Sequence, residues 1–117
     1  MGFIFVGIGG FLGSCGRYGL SRLFAAYSFP LGTLLSNIIA GFLIGACAGM
    51  GTNLPPRAKL FLMTGLLGGL STFSAFTLET LDFMRAGKYL WAIGNAALNL
   101  TLCLAFCALG MWLVKKL

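Results

Sequence analysis

Four stretches of this sequence carry no charged side chain: Met1 to Gly16, Leu23 to Pro56, Leu60 to Leu78 and Tyr89 to Val114. A soluble domain of 117 residues, 59% of them hydrophobic, has too little interior to hide that much apolar surface from water. The chain is therefore read as an integral membrane protein. A helical bilayer crossing takes about 20 predominantly apolar residues, which predicts four spans: Phe3 to Phe24, Leu31 to Met50, Leu60 to about Met84, and Tyr89 to Val114. The punctuation agrees. Ser28-Phe29-Pro30 with Gly32, Gly51-Thr52-Asn53-Leu54-Pro55-Pro56 and the Asp82 to Lys88 turn separate the spans. With such short loops and no visible repeat, the expected architecture is one all-α unit over residues 1–117, a compact four-helix membrane domain.

The missing residue types narrow the chemistry. There is no histidine, and Glu79 and Asp82 are the only carboxylates, so there is no imidazole base, no zinc cluster and no separated acid pair for hydrolysis. An enzyme is not expected. Cys15, Cys47, Cys103 and Cys107 fall inside apolar spans without a CxxC pair and read as small packing residues. The N-terminal MGFIFVGIGG has no basic segment and runs directly into a span, unlike a removable signal peptide. Eight Lys and Arg against two Asp and Glu give a net charge of +6. Because the basic residues flank spans, lipid phosphates and not nucleic acid are their expected neighbours.

An even number of spans puts both ends of the chain on one side, where Arg57, Lys59, Lys115 and Lys116 also fall. The other side has Arg22, Arg85 and Lys88, plus Arg17 if it reaches that way. The near tie removes the usual charge bias on orientation. A chain inserted both ways up can close a two-fold dimer about an axis in the membrane plane.

Polar residues inside the spans are the candidate functional groups. On span 2, Thr33, Asn37, Gly41, Gly45 and Gly49 recur every four residues along one face, a pattern for close helix packing. A carboxamide at Asn37 must also be hydrogen-bonded, either by a neighbouring helix or by something that passes through a polar track. Asn95, Asn99 and Cys103 repeat the spacing on span 4. Neither stripe contains an ionisable group, so whatever they meet encounters neutral dipoles and can leave as readily as it enters. Span 3 contains GLLGGLSTFSAFTLETL, where Gly68-Gly69 and the hydroxyls of Ser71, Thr72 and Ser74 oppose a continuous helix and predict a break near Gly69 to Thr72. Such a break exposes carbonyls suited to a cation such as Na⁺ and amides suited to an anion. Phe73 and Phe76 follow on one helical face, and the positive edges of their rings suit a small dehydrated anion. Eleven phenylalanines make a bare FxxF pair unremarkable; its place beside the break singles it out. Arg17, in GGFLGSCGRYG, either snorkels to the interface or draws anions to an entrance. Glu79 and Asp82 are expected where span 3 leaves the membrane, solvated or paired with Arg85.

Three motifs, Gly10-x-x-Gly13-x-x-x-Arg17-Tyr18, Gly32-Thr33-x-x-x-Asn37-x-x-x-Gly41 and Gly65-x-x-Gly68-Gly69-x-Ser71-Thr72-Phe73-Ser74-x-Phe76, resemble the signatures of the Fluc (CrcB) fluoride channels. The resemblance covers almost the whole chain. It implies an antiparallel, dual-topology homodimer in the cell membrane that exports fluoride passively through two pores and so protects against fluoride toxicity. It further implies a structural Na⁺ at the dimer centre, held by backbone carbonyls of Gly68 and Ser71 from both copies. Phe73 and Phe76 would be pore rings, with Asn37, Thr33 and Ser74 along the anion path and Arg17 at its vestibule. Asn95, Asn99 and Cys103 fall where the family places a hydroxyl-rich track. Two other readings fit a short four-span chain less well. A proton-coupled exporter like the small multidrug resistance transporters needs a carboxylate in the first span, where this chain has Arg17. A purely structural assembly protein leaves the mid-span asparagines and the stretch before Phe73 without a purpose.

Overall fold

A computed structural model of the chain describes residues 2–116. In hydrocarbon an uninterrupted apolar stretch becomes a helix because only a helix satisfies its own backbone groups locally. Among the described residues the elements are α1 (Gly2–Leu23), α2 (Leu31–Met50), a 3-10 turn (Gly51–Asn53), α3 (Pro56–Lys59), a π-helical segment (Leu60–Leu67), α4 (Gly68–Leu70), α5 (Phe73–Arg85) and α6 (Tyr89–Lys116). Four helical stretches are long and apolar enough to cross a membrane: Gly2–Leu23, Leu31–Asn53, Pro56–Arg85 and Tyr89–Lys116.

The third stretch begins at Pro56, ahead of the expected Leu60, because a proline at the first helical position has its φ already set and its missing N–H costs nothing there. Arg57 and Lys59 consequently ride on helix and not on a loop. The fourth stretch runs past the expected Val114, with Lys115 and Lys116 in its last turn, where cations meet the negative end of the helix dipole.

Glycine sets how closely the helices approach. α2 and α6 are pressed together along the predicted stripe. A Cβ on Gly41 would stand 3.1 Å from the Cys103 carbonyl oxygen and one on Gly49 3.0 Å from that of Met111, while at Gly45 it would collide with the Cys107 carbonyl. The contact is reciprocal, since Gly110 of α6 lies against the Phe42 carbonyl. A second seam joins α1 to the third crossing: Gly9 and Gly13 face the carbonyls of Phe61 and Leu66, and Gly69 faces that of Gly10. The π-helical turns that present those two carbonyls are not predictable from LFLMTGLL, whose apolar character is the same for either helix type.

Between α4 and α5 the chain leaves helical geometry for two residues, Ser71 at φ −81°, ψ 153° and Thr72 at φ −152°, ψ 127°. Thr72 then caps α5, its hydroxyl accepting from the Ala75 amide at 3.3 Å. At one end of the bundle Phe29, Phe83 and Trp91 cluster with ring centroids 5.6 to 6.1 Å apart and tie the α1–α2 loop to the α5–α6 turn. The outward surface is apolar, including Phe3, Phe11, Leu90 and Leu100, as lipid or protein neighbours require.

Gly45→Ala is expected to cost about 1–3 kcal/mol, because its methyl group meets backbone that cannot turn aside. Gly7→Ala, with open space around it, is the control. Melting of both variants in detergent checks the difference; equal melting temperatures would contradict the tight α2–α6 seam.

Candidate functional site

The two extended residues leave backbone groups that an unbroken helix would have paired. The Thr72 amide would have donated to the carbonyl of Gly68, four residues back; it donates instead to Asn37 Oδ1 at 2.9 Å. Asn37 answers with its amide nitrogen, 3.0 Å from Asn99 Oδ1 and 3.4 Å from the Thr72 carbonyl. Asn99 in turn donates to Asn95 through both the backbone oxygen at 2.9 Å and Oδ1 at 3.0 Å. Asn95 donates to Thr80 Oγ1 at 2.9 Å, and the Thr80 hydroxyl donates to the Phe76 carbonyl at 2.8 Å. The mid-span asparagines are thus partnered by neighbouring helices, and one polar chain links α2, α6 and α5 to the interruption.

A cavity of about 370 Å³ opens beside this chain. Asn37, Ser71, Thr72, Phe73, Phe76, Asn99 and Cys103 line it, with Ala40, Gly41, Ile44, Leu67, Leu100 and Leu104 making the rest of its wall. No lining side chain carries a charge. Phe73 and Phe76 meet at a centroid distance of 5.4 Å with planes 51° apart, and Phe73 is 77% exposed at the mouth. The four cysteines are free thiols, of which Cys103 alone reaches this cavity.

The structure does not gather every candidate residue there. Asn95 is fully buried behind the cavity and lines none of it. Ser74 lies outside, with its hydroxyl 3.0 Å from that of Thr72. Thr33 belongs to a second cavity of about 340 Å³, with Ser21, Tyr27, Ser28, Glu79 and Asp82 on its wall. There the Thr33 hydroxyl donates to Glu79 Oε2 at 2.6 Å, and Glu79 Oε1 is buried with no partner among the described residues. Glu79 is therefore neither free in solvent nor paired with Arg85, and the stripe carrying Thr33 does meet an ionisable side chain. Helix register explains this, since Glu79 lies on the inner face of α5 one turn beyond Phe76. Arg17 lies well within α1, half-buried, and its Nε donates to the Gly69 carbonyl at 3.3 Å. That carbonyl ends α4, so Arg17 supplies the cation that a helix C-terminus favours.

An uncharged cavity walled by paired rings, a carboxamide and an interrupted helix is the arrangement of the third and second sequence motifs brought together. The profile of the family described as CrcB-like protein, Camphor Resistance (CrcB), matches residues 4–111. The chain belongs to the CrcB family. Among CrcB-family relatives named fluoride-specific ion channel FluC, that of Campylobacter fetus is 44% identical over 95% of this chain and 91% of its own length. That of Burkholderia cenocepacia is 45% identical over 96% and 90%. That of Aeromonas salmonicida is 43% identical over 97% and 95%. Four membrane-crossing helices in a CrcB-family chain make this a multi-pass protein of the cell membrane, in a family of ion channels and not of enzymes.

Thr80 and Glu79 are the residues that sequence reasoning left out of the site. Their period offered a signal: both follow Phe76 within four residues on α5, inside reach of α2 and α6. Thr33→Val should remove the one hydrogen bond made to Glu79 and lower stability by about 1–3 kcal/mol. An unchanged melting temperature in detergent would mean that water serves the carboxyl equally well.

Proposed function

We propose that the protein is a passive, fluoride-selective channel that lets fluoride leave the cell and so limits its toxicity. The observation that carries this reading is the ring pair Phe73 and Phe76 on the wall of a cavity that has polar donors but no charge. A small anion entering it trades water for the positive edges of two phenyl rings and the N–H of Asn37. Neither supplies a full charge, so binding stays weak enough for release. Phe73 and Phe76 flank the ion, Asn37 meets it from the cavity wall that Asn99 also borders, and Ser74 stands at the hydroxyl pair with Thr72. Thr33 would receive the ion in the second cavity, and Arg17 would raise the local anion concentration at the vestibule. Asn95 belongs to the same track from behind the wall.

The working unit in this reading is an antiparallel homodimer with two pores, inserted in dual topology as the near tie of Lys and Arg allows. Two copies related by a two-fold axis would bring the Gly68 and Ser71 carbonyls of each toward a shared Na⁺. The residues fit such an ion. The Thr72 amide, bonded to Asn37, leaves the Gly68 carbonyl without its helical donor, Ser71 is extended, and backbone oxygens are the ligands a hard cation takes. When bound, the ion would supply positive charge that ties the two copies together. Interruption of the third crossing at mid-membrane is tolerated in this arrangement because its polar groups face protein and cavity.

Purified protein in liposomes loaded with potassium fluoride should release fluoride rapidly once valinomycin lets K⁺ follow, while chloride-loaded vesicles retain chloride. Phe73→Ile and Phe76→Ile should abolish the efflux with the elution volume of the detergent-solubilised protein unchanged; undiminished flux in both would remove the rings from the mechanism. Adding two cations to one face, as Thr52→Lys with Asn53→Lys in the exposed 3-10 turn, should bias insertion to one orientation and lower activity. Full activity from a population labelled on one side only would contradict the opposed dimer.

A further inference from the structure

The polar chain that begins at Thr72 has a direction, and the direction is set at both ends by groups that cannot reverse. A backbone N–H only donates, so the Asn37 atom at 2.9 Å from the Thr72 nitrogen is the carboxamide oxygen. The nitrogen of Asn37 must then face Asn99, which must offer its oxygen. Asn99 is left with its NH₂ toward Asn95, where two oxygens at 2.9 and 3.0 Å take both hydrogens. The Asn95 nitrogen therefore faces Thr80, whose oxygen accepts and whose proton passes to the Phe76 carbonyl, an acceptor only. Reversing Asn37 or Asn99 would set donor against donor at one contact and acceptor against acceptor at the other, and reversing Asn95 would set its NH₂ against that of Asn99.

The free N–H inventory follows. Asn99, although it borders the cavity, has spent both amide hydrogens on Asn95. Asn37 has one hydrogen on Asn99 and a second held only by a long 3.4 Å contact to the Thr72 carbonyl. That second hydrogen is the carboxamide donor most easily surrendered to an anion in the cavity.

We infer that Asn99, Asn95 and Thr80 are positioning residues that lock the Asn37 carboxamide with its nitrogen toward the anion, and do not themselves ligate it. The inference rests on the fluoride-channel reading and assigns the span 4 asparagines a different task from lining the path. A hydroxyl track rotates freely and can donate to a passing ion; two carboxamides bonded head to tail cannot do so without breaking the chain. Thr80 bears on the two roles because it lies outside the cavity and cannot ligate an ion there; it acts through Asn95, Asn99 and Asn37 or through the Phe76 carbonyl, and only the first route makes its loss non-additive with that of Asn99.

Fluoride efflux from proteoliposomes tests this with Asn99→Ala, Thr80→Val, Thr80→Ser and the Asn99→Ala/Thr80→Val pair, each at matched elution volume. Misplacing one hydrogen bond at the ion predicts efflux about tenfold lower in Asn99→Ala and about fivefold lower in Thr80→Val. Thr80→Ser, which keeps the hydroxyl, should recover efflux to within about twofold of wild type, a rescue that loss of packing alone would not give. The pair should conduct no worse than Asn99→Ala alone, since both cut one relay. Unchanged efflux in Thr80→Val or Asn99→Ala, complete loss in Asn99→Ala, failure of Thr80→Ser to rescue, or a pair whose losses multiply would each overturn the relay while leaving the channel intact. Absence of efflux from the wild-type protein is the separate outcome that removes the channel reading, and the relay's purpose with it.

Discussion

The bond from the Thr72 amide to the Asn37 side-chain oxygen, at 2.9 Å, is the contact on which the interior of this bundle depends. Where backbone leaves helical geometry inside an apolar bundle, its amides and carbonyls must find other partners, at a cost of several kcal/mol for each one buried without one. Asn37 supplies that partner from a neighbouring helix. Its own nitrogen then requires an acceptor, which recruits Asn99, and Asn99 recruits Asn95 and Thr80 in turn. On the other side of the interruption Arg17 meets the Gly69 carbonyl, so a cation serves the end of one short helix while a threonine caps the start of the next. Two residues of extended backbone are in this way supported from α1, α2 and α6 together.

Glycine makes those distances possible. The hydrophobic effect does not hold helices together in lipid, where the surroundings are as apolar as the side chains, so close packing and hydrogen bonds must. Gly41, Gly45 and Gly49 let α6 approach α2 until Asn99 comes within reach of Asn37. Gly9 and Gly13 do the same for α1 against the third crossing, bringing Arg17 to the end of α4. Packing and polar satisfaction are therefore coupled: a methyl group on the α2 stripe would lengthen the hydrogen bonds two turns away.

An uncharged cavity with hydrogen-bonded polar groups in its wall suits the transit of an ion. The groups that could trap an anion, Arg17 and the basic residues at the ends of the spans, stand away from the rings, and the carboxylate nearest them, Glu79, faces the second cavity with Thr33. What remains around Phe73 and Phe76 is a set of oriented dipoles. Dipoles held in place by a rigid network recognise an ion without having to reorganise as it arrives.

Much of this protein is legible from its letters because the bilayer imposes length and polarity rules that few sequences meet by accident. Four charge-free stretches determine four membrane-length helices, Gly and Pro mark the turns, and the four-residue period of Thr33, Asn37 and the glycines determines which face of α2 turns inward. Glycines and hydroxyls around Ser71 and Thr72 already disfavour helix there, whatever the partners. The π-helical turns and the inward place of Glu79 were not legible, since each depends on which helix lies opposite, whereas the early start at Pro56 follows locally from a proline at the first helical position. The same holds for the fate of the asparagines. A period places Asn37, Asn95 and Asn99 on faces, but a carboxamide can donate or accept at either end, and only the fixed polarity of the Thr72 amide and the Phe76 carbonyl, brought near by tertiary packing, decides which.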